Sequence, residues 1–230
     1  MRHVGKFRAC AWSVCALFPA AAASGMVQYA YDDGVANVNV GPPSSFEQFD
    51  RTDVIWGNAF TAIPGGEQIT KLSLQIGTLV GGSAELELLV YDDPTGNPAA
   101  ITGAPLASIT TTVVDPGFGQ FVDIALTSPV TVSGDFFIAA ALRMADPGDD
   151  APAALDPDAA AFGGNAWLMY SPAFDSSDLS GSIAFATAMN NSQFVPIFGA
   201  WAFRATGVPS PGPMALVGLA GYFVLRRGGR

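Results

Sequence analysis

The sequence has very few of the side chains that perform covalent or metal chemistry. Among its 230 residues there are two cysteines and one histidine, and these three residues, Cys10, Cys15 and His3, all lie within the first fifteen positions. From residue 16 onward the chain therefore cannot build a disulfide, a Cys-His pair, a Ser-His-Asp triad or an imidazole zinc site. Carboxylate chemistry is the main catalytic route that remains.

Basic side chains are also scarce in the middle of the chain. All twenty acidic residues lie between Asp32 and Asp178, and from residue 9 to residue 225 only four bases accompany them: Arg51, Lys71, Arg143 and Arg204. Twenty acids against four bases give this part a net charge of −16, whereas the basic ends bring the whole chain to −10. Such a surface repels polyanions, which excludes nucleic acid as a partner.

The first 23 residues have the three parts of a secretory signal peptide. Basic residues precede an apolar run from 9 to 23, which closes on Ala21-Ala22-Ala23 before Ser24. An N-terminal membrane helix is the alternative, but it would need about 20 apolar residues, and Pro19 interrupts this shorter run. We therefore expect signal peptidase to remove residues 1–23, and with them every cysteine and histidine.

The C-terminal residues 208–230 combine a proline-rich entry, a short apolar run and a basic end. The apolar run from 214 to 225 has twelve residues. As a helix it would be about 18 Å long, which is shorter than the roughly 30 Å core of a bilayer. Only with the proline-rich entry and snorkelling arginines would it come close to spanning, with its basic end in the cytoplasm and the acidic domain outside.

This arrangement resembles the PEP-CTERM sorting signal, which exosortases recognise. The residues that carry the resemblance are Val208, Pro209, Ser210, Pro211, Gly212, Arg226 and Arg227. Ser210 stands where the family's name has glutamate. The resemblance implies transient anchoring in the inner membrane, cleavage by an exosortase near the proline motif, and delivery to the cell surface or extracellular matrix. An ordinary C-terminal anchor is the alternative.

Residues 24–207 are predicted to form a single β-sandwich. Apolar and polar residues alternate in short runs separated by Gly, Pro, Asn and Asp, as at 69–77 and 84–91, which we expect to form a hairpin through Gly81-Gly82. Further strands are expected at 54–62, 106–114, 120–126, 129–133, 135–143, 166–170 and 199–206. About eight to ten strands without βαβ spacing predict an all-β, jelly-roll-like antiparallel sandwich.

The order of short motifs in this part resembles a β-sandwich accessory domain of exported bacterial proteins. The motifs are Tyr31-Asp32-Asp33-Gly34, Trp56-Gly57-Asn58-Ala59-Phe60, Lys71-Leu72-Ser73-Leu74, Tyr91-Asp92, Gly134 to Ile138, Ala166-Trp167 and Trp201-Ala202-Phe203-Arg204-Ala205. The resemblance implies a domain without catalytic activity.

Aromatic side chains give one candidate binding site. Trp56, Trp167, Tyr170 and Trp201 could offer flat apolar faces to the rings of a surface polysaccharide. The same side chains would serve equally well to fill a sandwich core. Both interpretations stay open at this point.

A cluster of aspartates gives a second candidate site. Asp146, Asp149, Asp150, Asp156 and Asp158 place five carboxylates within thirteen positions of a predicted loop. Calcium takes several hard oxygen ligands in irregular geometry, so it is the one candidate cofactor. The alternative is a solvated loop in which Asp forms turns.

Paired carboxylates for glycan hydrolysis are the third candidate. The natural residues are Glu47, Glu67, Glu85 and Glu87, but Glu85 and Glu87 lie on one face of a single predicted strand. We therefore predict a non-catalytic, structural or adhesive protein of the cell surface or matrix. A surface carbohydrate-binding module is the first alternative, and a secreted glycan hydrolase is the second.

Overall fold

The computed structural model describes residues 25–42, 52–114, 119–145, 150–162, 165–188 and 199–210. Within these ranges the chain forms thirteen β-strands, one short α-helix and three short 3-10 turns. The elements are β1 (Val27–Tyr29), β2 (Val38–Val40), β3 (Thr52–Thr61), β4 (Gln68–Thr78), β5 (Ser83–Asp92), β6 (Ala107–Val114), β7 (Phe121–Thr131), β8 (Asp135–Ala145), β9 (Ala151–Asp156), β10 (Ala166–Ser171), α1 (Leu179–Ser182), β11 (Phe185–Ala188), β12 (Ala200–Trp201) and β13 (Phe203–Val208).

The strands form two sheets, and all the described strand pairs are antiparallel. One sheet has six strands in the order β11-β10-β3-β8-β5-β6. The other has seven, in the order β1-β13-β4-β9-β12, with β2 paired to β9 and β7 paired to β4. The prediction of an all-β antiparallel sandwich is confirmed.

The main core lies between the two sheets. Alternate residues of each strand point to one face, so Trp56 and Phe136 of the six-stranded sheet meet Leu72, Leu74 and Phe203 of the seven-stranded sheet. All five are buried. Removal of this apolar surface from water is the main force that holds the sheets together.

A second apolar cluster covers the outer face of the six-stranded sheet. Ile55 and Phe137 point away from the main core and pack with Ile101, Phe174 and Leu179. The last three belong to the two connections that precede β6 and β11, and the Tyr91 hydroxyl donates to the Ser176 carbonyl (2.8 Å) in the same layer. Because both faces of this sheet are covered, β3 is buried from Thr52 to Phe60 and β8 from Phe136 to Leu142.

The predicted hairpin through Gly81-Gly82 is wrong. Strand β4 lies in the seven-stranded sheet between β13 and β7, whereas β5 lies in the six-stranded sheet between β8 and β6. The turn at Val80–Gly82 therefore carries the chain from one sheet to the other. The alternation in both strands identifies their buried faces, but it contains no information about which strand each one pairs with.

Residues 129–133 do not form a strand of their own. Pro129, Val130 and Thr131 are the last residues of β7. The pairing of β7 with β4 is interrupted, since Ala125 pairs with Lys71 and the next described partner pair is Val130 with Ile69. From the sequence alone, this interruption predicts the end of one strand and the start of another.

The seven-stranded sheet contains a fork in which the last segment of the chain is inserted. Strands β4 and β9 pair with each other at Ile76 and Ala153 and then separate. Ala202, between β12 and β13, lies in the opening: its N–H donates to the Ala154 carbonyl (2.9 Å), and its carbonyl accepts from the Gln75 N–H (2.9 Å). Strand β12 thus continues along β9, and β13 continues along β4.

Candidate functional site

The outer face of the seven-stranded sheet is the more open of the two outer sheet faces that the structure describes. Two rows of polar side chains cross it on neighbouring strands. Gln28, Thr206 and Lys71 are in register in one row, and Arg204, Ser73 and Asp123 are in register in the next. This polar face is where a ligand could approach the sheet.

One end of this face is closed by the segment that follows β1. The Asp32 carboxylate accepts from Arg204 Nε at 3.0 Å and 3.1 Å, and the Arg204 guanidinium also pairs with it through Nη2. The Asp32 side chain is fully buried and that of Arg204 is 20% exposed. The guanidinium also lies 4.2 Å from the centre of the Phe121 ring. This pair is a structural clamp.

Two further buried polar side chains fix the same segment. Gln75 donates to the Gly34 carbonyl (2.7 Å) and accepts from the Ala36 N–H (3.3 Å). Asp156 accepts from the N–H groups of Asp33 (2.8 Å) and Asp158 (2.9 Å). These contacts therefore hold residues 32–36, which include most of the Tyr31-Asp32-Asp33-Gly34 motif, against the fork.

The other end of the face carries a groove of about 510 Å³, lined by Met26, Val27, Gln28, Thr70, Lys71 and Thr206. We call it the Thr70 groove. Thr70 is an extra residue in β4 relative to β13, because Ile69 pairs with Gly207 and Lys71 pairs with the adjacent Thr206. The pairing with β7 is interrupted at the same place. Such a bulge lets the consecutive residues Thr70 and Lys71 both face outward.

The charges beside the groove are matched. Lys71 Nζ lies 2.9 Å from the Asp123 carboxylate, and Ser73 Oγ donates to the same carboxylate at 2.5 Å. The hydrogen bonds from Ser73 and Lys71 lower the pKa of the Asp123 carboxyl. The groove thus offers hydroxyl and amide groups and a neutralised ion pair, which suit a neutral polyhydroxyl ligand better than an anion.

The sequence did not indicate the Thr70 groove. Gln28, Thr70 and Thr206 are ordinary polar residues on strands, and the bulged residues Ile69, Thr70 and Lys71 include no glycine or proline. Gly207 lies opposite the bulge on β13, but a single glycine in a strand does not locate a groove. Only the pairing register reveals it.

A second charged cluster lies on the outer side of the six-stranded sheet. Arg143 pairs with Glu87 (2.5 Å) and lies 3.7 Å from Asp53, and its guanidinium stacks 4.4 Å from the Phe174 ring. Asp53 accepts from the Phe174 N–H at 2.8 Å. This cluster fastens the covering connection to the sheet. Glu85 is exposed next to it, and Glu47 lies outside the described residues.

The predicted aromatic platform is wrong for three of its four residues. Trp56 (1% exposed), Tyr170 (4%) and Trp201 (0%) belong to the main core, so they have no free face for a sugar ring. Trp167 is half-buried and packs on the opposite side of the same sheet, against the second apolar cluster. The four rings fill two cores because alternate positions on β10 point to opposite faces.

The predicted aspartate loop is also wrong in part, because residues 151–156 form β9. Asp150 and Asp156 lie at opposite ends of this strand, about 20 Å apart at 3.3 Å per residue, so they cannot share one ion. Asp150 accepts from the Val80 N–H (2.8 Å), and Asp158 is exposed. Asp146 and Asp149 lie outside the described residues. Among the described residues, no three Asp, Glu, His or Cys side chains are grouped to hold a metal.

Asp93 is the buried carboxylate with the weakest set of partners. Its Oδ1 accepts from Thr95 Oγ1 (3.2 Å) and the Asn97 N–H (3.1 Å), while its buried Oδ2 has no hydrogen-bond partner. Burial raises the pKa of the Asp93 carboxyl. The side chain closes the turn after β5.

The described chain enters and leaves the sandwich at the same end, which we call the pole. Val27 pairs with Gly207, and Val208 pairs with Gln68. Backbone N–H groups of Gly65, Glu67 and Ser210 lower the pKa of the Glu67 carboxyl, so Ser210 still contacts this pole. The predicted signal peptide and the sorting residues from Pro211 onward lie outside the described residues. Over the ranges that the structure covers, no helix is both long enough and apolar enough to cross a bilayer.

No protein-family model matches the chain, and no curated protein matches it. Two solved structures are similar. The first is a variant of the clostridial cysteine protease Cwp84 after propeptide cleavage, with a TM-score of 0.50 and 14% identity over 81% of this chain and 41% of that chain. The second holds the cysteine protease and lectin-like domains of Cwp84, a surface layer associated protein of Clostridium difficile; its TM-score is 0.44, with 15% identity over 69% of this chain and 32% of that chain.

These likenesses concern the fold. The chain spans about two fifths of the length of the first structure, at an identity of 14%. The part of this chain that is similar is its antiparallel β-sandwich, so the likeness is one of strand arrangement.

Proposed function

We propose that this chain is an exported, non-catalytic component of the cell surface or extracellular matrix, with a structural or adhesive role. The observation that carries the proposal is the use of three of the four buried carboxylates that the structure describes. Asp32 pairs with Arg204, Asp53 caps the Phe174 backbone and Asp156 binds two backbone N–H groups. Each is thus engaged in holding the sandwich together rather than in activating a substrate.

The route to the surface rests on the two ends of the chain. The signal peptide at 1–23 gives export, and the PEP-CTERM-like residues 208–230 give transient inner-membrane anchoring followed by exosortase processing. Support comes from the sandwich itself, since β13 ends at Val208 and leads straight into the proline motif. The sandwich would then stand on the membrane by one pole while its outer faces stay accessible.

Surface delivery should depend on the proline motif. We expect the full chain, carrying an epitope at the exposed Gly96 turn and produced in a bacterium with an exosortase, to be accessible on intact cells. The Pro211→Ala variant should stay in the inner membrane with its tail uncut, whereas Pro94→Ala, an exposed proline in a turn, should behave as the parent. Fractionation and immunoblotting measure both, and an unchanged distribution of Pro211→Ala would rule out this route.

The Thr70 groove favours a second candidate function, that of a surface carbohydrate-binding module. Its lining of hydroxyl, amide and paired ionic groups suits a neutral polyhydroxyl chain. It lies at the end of the open face that is nearest the pole, where a long polymer could pass without entering a closed pocket. The similar fold of a larger clostridial protein is compatible with such a binding domain.

Glycan binding at the groove should be lost when its hydroxyl groups are removed. The Thr70 hydroxyl donates to the Thr206 carbonyl (3.2 Å) and can still accept from a ligand. We expect Thr70→Val to weaken binding of the recognised glycan on an array by tenfold or more, since a glycan hydroxyl at this position would lose its partner. Thr127→Val on the exposed part of β7 is the matched control. If Thr70→Val binds like the parent and Trp167→Ala does not, the site lies on the other sheet.

A further inference from the structure

We propose that β6 is a self-association edge, through which two copies of this chain pair their six-stranded sheets about a two-fold axis at Thr110. The inference goes beyond the proposed function, because export and ligand binding use other parts of the molecule. It rests on the contrast between β6 and the other edge strands.

Strand β6 is an edge of the six-stranded sheet without the usual protection. It pairs with β5 over eight residues, from Ser83 with Val114 to Val90 with Ala107, and its register is continuous. The strand reads ASITTTVV, with no charged residue and no proline. Edge strands normally carry charges, proline, a bulge or a short length, because their free N–H and C=O groups otherwise attract another strand.

The other described edges each have one of these devices. Strands β1 and β2 have three residues, and β11 has four. Strand β7 is long, but it contains Pro129 and the Lys71–Asp123 ion pair, and its register is broken. Strand β6 is therefore the one long, uncharged edge with an unbroken register in the part of the chain that the structure covers.

The exposed apolar side chains at the two ends of β6 indicate a second copy as the occupant. Val114 is 67% exposed at the end of the strand and Leu106 is 46% exposed just before its start. The Leu106 N–H bonds to the Val90 carbonyl (2.7 Å), so Leu106 extends the strand. In an antiparallel pair centred on Thr110, each Leu106 lies opposite the partner's Val114.

The same register matches the remaining positions. Ser108 lies opposite the partner's Thr112 on the outer side, and Ala107 lies opposite the partner's Val113 on the side of the core. Residues on the same face of each copy therefore meet, and cross-strand Thr and β-branched pairs of this kind stabilise sheets. The two six-stranded sheets would become one continuous sheet of twelve strands, and no β6 edge would remain free.

The acidity of the chain does not oppose this contact strongly. Among the residues that the structure describes, the nearest carboxylates are Glu85 and Glu87 on β5, and Glu87 is paired with Arg143; Asp115, which follows Val114 in the sequence, lies outside them. Three strand spacings would separate the two copies of β5, which amounts to about 14 Å. This exceeds the Debye length of about 8 Å at physiological salt, so the repulsion is screened.

Cysteine cross-linking tests the axis directly. In the full chain with Cys10 and Cys15 changed to serine, Thr110→Cys places its new thiol opposite its own copy. Directly opposite Cα atoms in an antiparallel pair lie about 4.5–5.5 Å apart, within the roughly 4.4–6.8 Å that a disulfide spans. We expect a disulfide-linked dimer on non-reducing gels after mild oxidation in detergent. Thr127→Cys, at a position on β7 that is also exposed, should remain monomeric.

Introducing a charge at the proposed two-fold axis gives a second test. Thr110→Lys sets two ammonium groups opposite each other, and we expect the dimer mass in analytical ultracentrifugation to fall to that of the monomer, while Thr127→Lys keeps the dimer. Matching melting curves would show that both lysine variants fold. Failure of Thr110→Cys to cross-link, cross-linking of both cysteine variants to the same extent, or an open series of larger species would overturn the proposal.

Discussion

Replacement of Arg204 by methionine is expected to lower the free energy of unfolding by about 3–5 kcal/mol. The Asp32 side chain has no exposed surface, and Arg204 binds it through two nitrogens. Removal of the guanidinium would leave a buried carboxylate without its counter-charge. The packing of the guanidinium over Phe121 would be lost as well.

The control for this variant is Lys71→Met on the same face of the same sheet. Lys71 and Asp123 form an ion pair of similar length, but their side chains are 38% and 58% exposed. Such a pair contributes about 1 kcal/mol at most. Urea unfolding of residues 24–210 measures both variants, and equal losses of stability would show that the Asp32–Arg204 clamp has no special role.

The double variant Asp32→Asn with Arg204→Met separates two causes of the loss. If the cost comes from the uncompensated charge, removal of that charge should restore most of the stability. If it comes from the packing of Arg204 against Phe121, the double variant should be as unstable as the single one. The first outcome is expected, because a buried charge is costlier than a lost surface contact.

The sequence predicted the strands well where apolar and polar residues alternate along the chain. Residues 69–77 and 84–91 lie within β4 and β5. Alternation of apolar and polar residues indicates that a segment is a strand and which of its side chains are buried. It does not report the partner, so the hairpin between β4 and β5 was wrong while both strands were right.

Short or uniformly apolar strands could not be predicted in the same way. Strand β9 reads APAALD, is buried almost throughout and shows no alternation, so it was taken as part of an acidic loop. Strands β1 and β2 have three residues each, too few for a periodic pattern. Both are held by their partners rather than by their own sequence.

Candidate site residues were predicted less well than strands, because residue type does not determine the direction in which a side chain points. Tryptophan suits a sugar platform and a core equally, and Trp56 and Trp201 serve in the core. Asp32 and Arg204 were noticed only as members of two separate motifs, 172 positions apart. Their pairing follows from the register of β1 and β13, which the sequence does not reveal.

Asn58 links the two sheets at the fork, and Asn58→Leu is expected to cost about 3 kcal/mol. The side chain is fully buried on β3 of the six-stranded sheet. Its Nδ2 donates to the carbonyls of Trp201 (2.9 Å) and Phe203 (3.1 Å), and its Oδ1 accepts from the Trp201 N–H at 3.3 Å. Leucine has a similar volume but would leave these backbone groups with one partner fewer in an apolar core.

The expected loss at Asn58 depends on burial, which a matched variant tests. Asn37→Leu makes the same chemical change at an exposed side chain, and its midpoint in urea should shift little. Asn58→Asp keeps the acceptor for the Trp201 N–H but sets a carboxylate against two carbonyls, so it should be at least as unstable as the leucine variant. If both Asn58 variants unfold at the parent's urea concentration, backbone pairing alone holds β12 and β13 in the fork.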